Sequence, residues 1–371
     1  MKTTQQNLYT PVYAPALFSN VLTLLIICAA AALNFYSDDL YYLSVREDGL
    51  LEWTTFWAFI AAAYLNLRLA LADRHSPWAW QIPVLLSLFC FVVAMEEISW
   101  AQRILNYQPP EYFLAQNFQQ ELNLHNVVDK SYRKLALKVI ILGFGVLLPL
   151  LNLVPTARKW LQKLSVPGPS LVLAPAFIAT YILYEWYPWK HSGEWVELLL
   201  GLGFMFAALE HWLARGNSTP GWLRSLVQPT GWALLVICTS LLTTGLSQVQ
   251  VTNYAIRVQH TDTELKLLAR DFRARRNILS CGNHKRLYTY MEKYEYDWMI
   301  AGRFTKHLET TAPERGQYLL DPWNNPYWIR DVCAEDGADR IVFIYSFGPN
   351  RQRESTSEAV AGDDLAAYVF D

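Results

Sequence analysis

Two adjacent carboxylates, Glu96 and Glu97, close an apolar run from Ile82 to Met95 that is too short to cross a bilayer unless its helix continues to about Trp100. That continuation would set Glu96, Ser99 and Arg103 on one helical face, so that a carboxylate, a hydroxyl and a guanidinium line one side of a span. Ionisable groups at such depth are costly and mark a functional site by default. A structural Glu96–Arg103 ion pair would account for the same pattern without chemistry. The segment that follows, from Asn106 to Asn126, is rich in amides and aromatics and suits a chain folded over a polar cavity. It holds His125. Together, Glu96, Glu97, Arg103, His125 and Glu185 form a candidate outward-facing polar site whose carboxylates and imidazole could act as general acid and base. With His191 they are also the ligand types of Zn²⁺ or another divalent metal. No two of them stand in a ligand spacing such as H-E-x-x-H, and hydrogen-bonded surface histidines are the plainer alternative.

The elements that must position these residues are apolar helices. Of 371 residues, 53% are apolar and only 17% charged, well below the ~25% of soluble domains. A net charge of −2 supplies no basic field and excludes nucleic acid as the main partner. Apolar runs predict seven spans: Leu17–Tyr36, Leu51–Ala72, Trp80–Trp100, Leu135–Val154, Ser170–Trp186, Glu194–Leu213 and Pro229–Val249. The first has a polar, Pro-containing lead rather than a basic start, and is expected to stay attached. Breakers such as Arg74-His75-Ser76-Pro77 separate the spans. The fold class expected is an α-helical polytopic membrane bundle followed by a small α+β domain. Residues 1–228 carry six spans, and residues 229–371 carry the seventh span continuing as an amphipathic helix into that domain. Acidic side chains of the membrane half gather on connections expected on one side, among them Glu47, Asp48, Glu52, Glu194 and Glu197. Glu210-His211, on the other side, reads as a local ion pair or interface anchor. No phosphate-cradling Gly loop, nucleophile elbow, Cys-x-x-Cys or transporter-like repeat is present.

Lys and Arg are nearly balanced across the connections, so cysteines carry the orientation. Cys28, Cys90 and Cys238 fall inside spans, whereas Cys281 and Cys333 lie in the polar C-terminal part, where they can form one disulfide. A disulfide implies an oxidising compartment, hence an external C-terminal domain and a cytoplasmic Met1. Two unpaired cytosolic thiols are the alternative.

Residues 321–327, Asp321-Pro322-Trp323-Asn324-Asn325-Pro326-Tyr327, precede a strand and then Tyr345-Ser346-Phe347-Gly348-Pro349-Asn350, Glu354-Ser355 and Gly362-Asp363-Asp364-Leu365. This order resembles the C-terminal half of the major pseudopilin of type II secretion systems, over roughly the last 50 residues, while the membrane half resembles bacterial polytopic membrane proteins without an assigned role. The resemblance implies a final loop held by Ca²⁺ because a loop with little apolar content needs a hard cation to fix it, with Asn350, Asp363 and Asp364 as the carried-over ligands. Asn350 stands where that family usually has Asp, Arg351 replaces the usual Gly, and the loop is longer. No processed leader stands before Gly231–Val249, so this helix is expected to remain a span rather than stack into a filament.

These observations predict a bacterial inner-membrane protein presenting a periplasmic pseudopilin-like domain, with the lipid bilayer and secretion or pilus-like machinery as partners. The alternative is a membrane-embedded hydrolase or transferase acting on lipid or lipid-linked substrate at the outward carboxylate/His site.

Overall fold

The computed structural model describes residues 13–45, 49–72, 79–105, 107, 109–117, 121–214, 229–247, 254–273, 284–293, 315, 318–333, 340–356 and 359–370. The chain divides into two compact units, Met1–Trp100 with Val128–Thr244, and Ala101–Val127 with Gly245–Asp371.

The first unit is helical. Its elements are α1 (Tyr13–Tyr36), α2 (Asp38–Val45), α3 (Leu50–Ala72) and α4 (Gln81–Glu97). In the second unit follow α5 (Gln102–Leu105) and α6 (Glu111–Gln116). The first unit resumes with α7 (Lys130–Leu151), α8 (Pro155–Lys163), α9 (Ala174–Trp186), α10 (Ser192–Ala214) and α11 (Pro229–Ser247). Five helices are long and apolar enough to cross a membrane: α1, α3, α7, α10 and Pro229–Leu246 of α11. The apolar window of α10 is 78% buried against 17% for α7 and α11, which makes α10 the axis of the packing. It is apolar all round and touches α1, α3 and α9, while α3 in turn packs on α4. Leu24 and Leu25 on α1, and Leu241 and Leu242 on α11, stay exposed. Leucine at this density on an uncovered face fits hydrocarbon, so a lipid bilayer is the environment of this unit. Within α7 the stretch Ile140–Leu147 widens to a π-helix, and Phe144 stacks on Phe204 of α10 at 4.3 Å.

The two remaining expected spans are shorter. The helix ending in α9 runs from Leu171 to Trp186, and α4 has 17 residues. The expected continuation of α4 to Trp100 is not made. Ser99, Trp100 and Ala101 take φ of 46°, 55° and 63°, a left-handed turn that ends the helix behind Glu97 and removes the shared face of Glu96, Ser99 and Arg103.

In the second unit β1 (His284–Arg286), β2 (Trp328–Cys333), β3 (Arg340–Ser346) and β4 (Leu365–Phe370) form an antiparallel sheet in the order β1-β2-β3-β4. The helix α12 (Tyr254–Arg273) packs on β3 and β4, and the short α13 (Leu287–Lys293) follows β1. Alternation does the sorting. Tyr327, Ile329, Val342, Ile344 and Val369 point to a core with Leu265, Leu268, Ala269 and Phe272 of α12. The expected rod from Pro229 to Arg276 is present as α11 and α12, and residues 248–253 between them lie outside the described residues.

The expected disulfide is corrected, because no pair of cysteines lies at disulfide distance. The described β1–β2 ladder ends at His284↔Arg330, short of Cys281, which lies outside the described residues, while Cys333 closes β2. A bridge requires the two Cα atoms within ~7 Å.

Candidate metal centre and the carboxylates of the bundle

The sheet end that carries the last loop is built on Asp321. Its Oδ1 accepts from the backbone N–H groups of Trp323 and Asn325, both at 2.9 Å, which folds the Asp-Pro-Trp-Asn-Asn-Pro turn around a buried carboxylate. Its Oδ2 accepts from the Ser346 hydroxyl at 2.5 Å, and that hydroxyl accepts from Gly348 N at 3.0 Å. The Asp-Pro-Trp turn and the Tyr-Ser-Phe-Gly-Pro-Asn segment are thereby one network. Burial raises the Asp321 carboxyl to about 6, against the pull of its hydrogen-bond donors. A second buried set anchors the loop to α12. Arg315 makes a two-pronged pair with Glu264 at 2.9 and 2.6 Å and also donates to Leu320 O, and Tyr327 donates its hydroxyl to Glu264. Burial opposes the Arg315 charge, but the Glu264 bond outweighs it and holds the guanidinium above its ordinary value.

Beyond Gly348 the chain encloses three carboxylates. Ligand atoms of Glu354, Asp363 and Asp364 lie within 4.8 Å of one another, the only such His, Cys, Asp or Glu group of three or more among the described residues. Main-chain donors hold one side of it. Asp364 Oδ2 accepts from Glu354 N and Ser355 N at 3.1 and 2.7 Å, Asp363 Oδ2 from Asn350 N at 3.1 Å, and Glu354 Oε2 from Asp363 N at 2.7 Å. The opposite oxygens, Oδ1 of Asp363 and Oδ1 of Asp364, are buried without a hydrogen-bond partner, although Asp364 is only 6% exposed. Buried carboxylate oxygens left without donors are costly. Burial, with Glu354 beside them, raises both aspartates to about 6. Oxygen-only donors of this charge fit a hard divalent cation such as Ca²⁺.

Asn350 is placed as a brace, its Oδ1 accepting from Gln352 N at 2.7 Å. Glu354 is the member that sequence reasoning did not assign as a ligand, although it stood in the quoted Glu354-Ser355 pair. Two glycines make the loop possible: a Cβ on Gly348 would fall 2.1 Å from Asp363 O, and one on Gly362 1.5 Å from Glu354 Oε2. Arg351, where the pseudopilin pattern has Gly, takes φ of 59°, the left-handed region glycine favours.

In the first unit Glu96 and Glu97 end α4, Glu52 stands in the first turn of α3, and Glu194 and Glu197 in the first turns of α10. Glu97 lies within electrostatic reach of Glu197, Glu194, Glu52 and Glu96, so three helices bring five carboxylates to one end of the packing. Trp100, on the left-handed turn, donates its indole N–H to Glu96 Oε1 at 2.7 Å. Glu185, at the end of α9, is paired with Lys138 of α7 at 2.7 Å. Arg103 and His125 belong to the second unit, where the segment 101–127 is tied to itself by buried amides. Asn117 Nδ2 donates to Glu121 O and to Asn123 Oδ1 at 2.6 and 2.8 Å, and Leu122 N donates to Gln102 Oε1 at 2.7 Å. Glu210 and His211 do not form the expected local anchor. Glu210 accepts from Ser170 N and Oγ at 2.9 and 2.7 Å, and His211 Nε2 meets Gly168 O at 2.6 Å, so the pair clamps the loop before α9.

The chain matches no family model, no curated protein and no solved structure.

Proposed function

We propose that this is a bacterial inner-membrane protein whose seven apolar helices all span the bilayer, with Met1 cytoplasmic and a pseudopilin-like C-terminal domain displayed in the periplasm as an interaction or assembly module for secretion or pilus-like machinery. A 17-residue helix is ~25 Å long, and mismatch of this size is met by local thinning of the bilayer. The observation that carries the reading is the loop after β3, where Glu354, Asp363 and Asp364 converge with two buried oxygens lacking donors. In the resembling family a Ca²⁺ ion holds this loop. Here the three carboxylates would hold it, with main-chain carbonyls completing the shell, and the ion would supply the cross-link that a loop poor in apolar contacts lacks.

Two measurements test it. Ca²⁺ added to the full-length protein in detergent should raise the melting temperature, and Asp364→Asn should abolish the shift. A cysteine placed at the exposed Ala359 should react with a membrane-impermeant maleimide on intact cells, beyond the labelling of the parent protein. Labelling only after lysis would put the domain in the cytoplasm and remove the display role.

A second reading is favoured by the five carboxylates around Glu97: a membrane-embedded hydrolase or transferase acting on lipid or lipid-linked substrate. Carboxylates this close share protons, which sets one as acid beside another as base. Glu97→Gln should abolish turnover of such a substrate while the protein still inserts. Unchanged turnover would dismiss the site.

A further inference from the structure

The face of the sheet turned away from α12 is rich in donors. Direct pairing places His284 beside Arg330 and Phe343, and Arg286 beside Trp328 and Tyr345, on that face. The Arg286 guanidinium lies 4.9 Å over the Trp328 ring and is 2% exposed. From the loop after β3, Arg353 Nη1 approaches His284 Nδ1 at 3.2 Å. An arginine can only donate, so Nδ1 accepts, and the imidazole proton sits on Nε2, donated to Tyr345 Oη at 2.7 Å. Arg286, Arg330 and Arg353 thus gather around two aromatic rings, and no Asp or Glu occupies a paired position of this face. Two donors here are buried without an acceptor among the described residues: the indole N–H of Trp328 and the Nε–H of Arg330.

Buried donors without acceptors are costly, and an anion relieves that cost. A carboxylate has only about four lone-pair sites, whereas three forked guanidiniums and an indole offer donors from several directions, which a tetrahedral oxyanion meets better. We propose that the outer face of the C-terminal sheet binds a phosphate group, held by Arg286, Arg330, Arg353 and the Trp328 indole N–H. The phosphate chemistry is the same in a free phosphate and in a phospholipid headgroup.

The test is calorimetric titration of the full-length protein in detergent with inorganic phosphate and, separately, with monomeric dihexanoylphosphatidylglycerol. Saturable binding of one or both is expected, weakened about tenfold by Arg330→Met and about threefold by Trp328→Phe, which keeps the ring and removes only the donor. Phosphate binding identifies a free phosphate as sufficient; binding of phosphatidylglycerol alone identifies the headgroup. If Arg330→Met fails to fold, Trp328→Phe and Arg330→Lys carry the comparison. No saturable binding of either probe by the wild type, or equal binding by wild type and folded variants, overturns the proposal.

Discussion

The hydroxyl of Ser346 donates to Asp321 Oδ2 at 2.5 Å across 25 residues of sequence, joining the turn before β2 to the end of β3. Both residues are fully buried, and the same hydroxyl receives Gly348 N, the first residue of the carboxylate loop. Ser346→Ala leaves Asp321 Oδ2 and Gly348 N short of partners inside the domain. It should lower stability by about 1–3 kcal/mol, read by urea unfolding of the full-length protein followed by circular dichroism, and should weaken Ca²⁺ binding through the loop. A variant as stable as the wild type would show that the network does not support the fold.

The metal-free domain should lose stability as pH rises through the range from about 4 to 6. Asp321, Asp363 and Asp364 are raised from 3.8 to about 6 in the fold, chiefly by burial. Raised values mean that the native state binds more protons than the unfolded chain in that window, so the stabilisation is fully present below about pH 4 and is lost as pH climbs through 6. Asp321 and Asp364 dominate, since Asp363 is more exposed. Melting curves with chelator from pH 4.5 to 7.5 check the sign.

Calcium reverses that dependence. The ion binds carboxylates only after their protons leave, so the Ca²⁺-induced rise in melting temperature should grow from pH 5 to pH 7.5. Glu354→Gln should reduce the rise at every pH. A calcium effect independent of pH would place the ion elsewhere.

The left-handed turn after α4 offers a backbone test. A non-glycine residue held there costs about 1–2 kcal/mol. Ala101, at φ of 63°, should therefore be improved by Gly by up to about 1 kcal/mol and worsened by Val, measured as resistance to thermal aggregation in detergent. Equal behaviour of all three would mean that the turn relaxes freely.

Glu96→Gln should keep the bundle folded, because the amide oxygen still accepts the Trp100 indole N–H. Glu97→Gln removes one charge from a group of like charges and should leave melting unchanged or raise it. If Glu97→Gln instead melts early, the carboxylates are held by cationic partners rather than poised as a site.

The apolar runs determined the helices of the membrane half, since the free energy of placing some twenty residues in hydrocarbon is a local sum along the chain. Likewise the β-rich run at Arg340–Ser346 became β3, and the ordered Asp-Pro-Trp and Gly-Asp-Asp motifs placed Asp363 and Asp364 in one loop. Only the tertiary structure decided what lies across those elements. Glu52, Glu194 and Glu197 reach Glu97 from helices far apart in sequence, and no periodicity announces that meeting. Glu185 turned to Lys138 because α9 and α7 run side by side, and Glu354 joined the aspartates because Gly348 and Gly362 let the loop close. Ser99-Trp100-Ala101 contains no glycine, so nothing local signals its left-handed path. Local sequence encodes burial and backbone preference over a few turns of chain; the convergence of charges depends on packing between distant segments, which is settled by the fold as a whole.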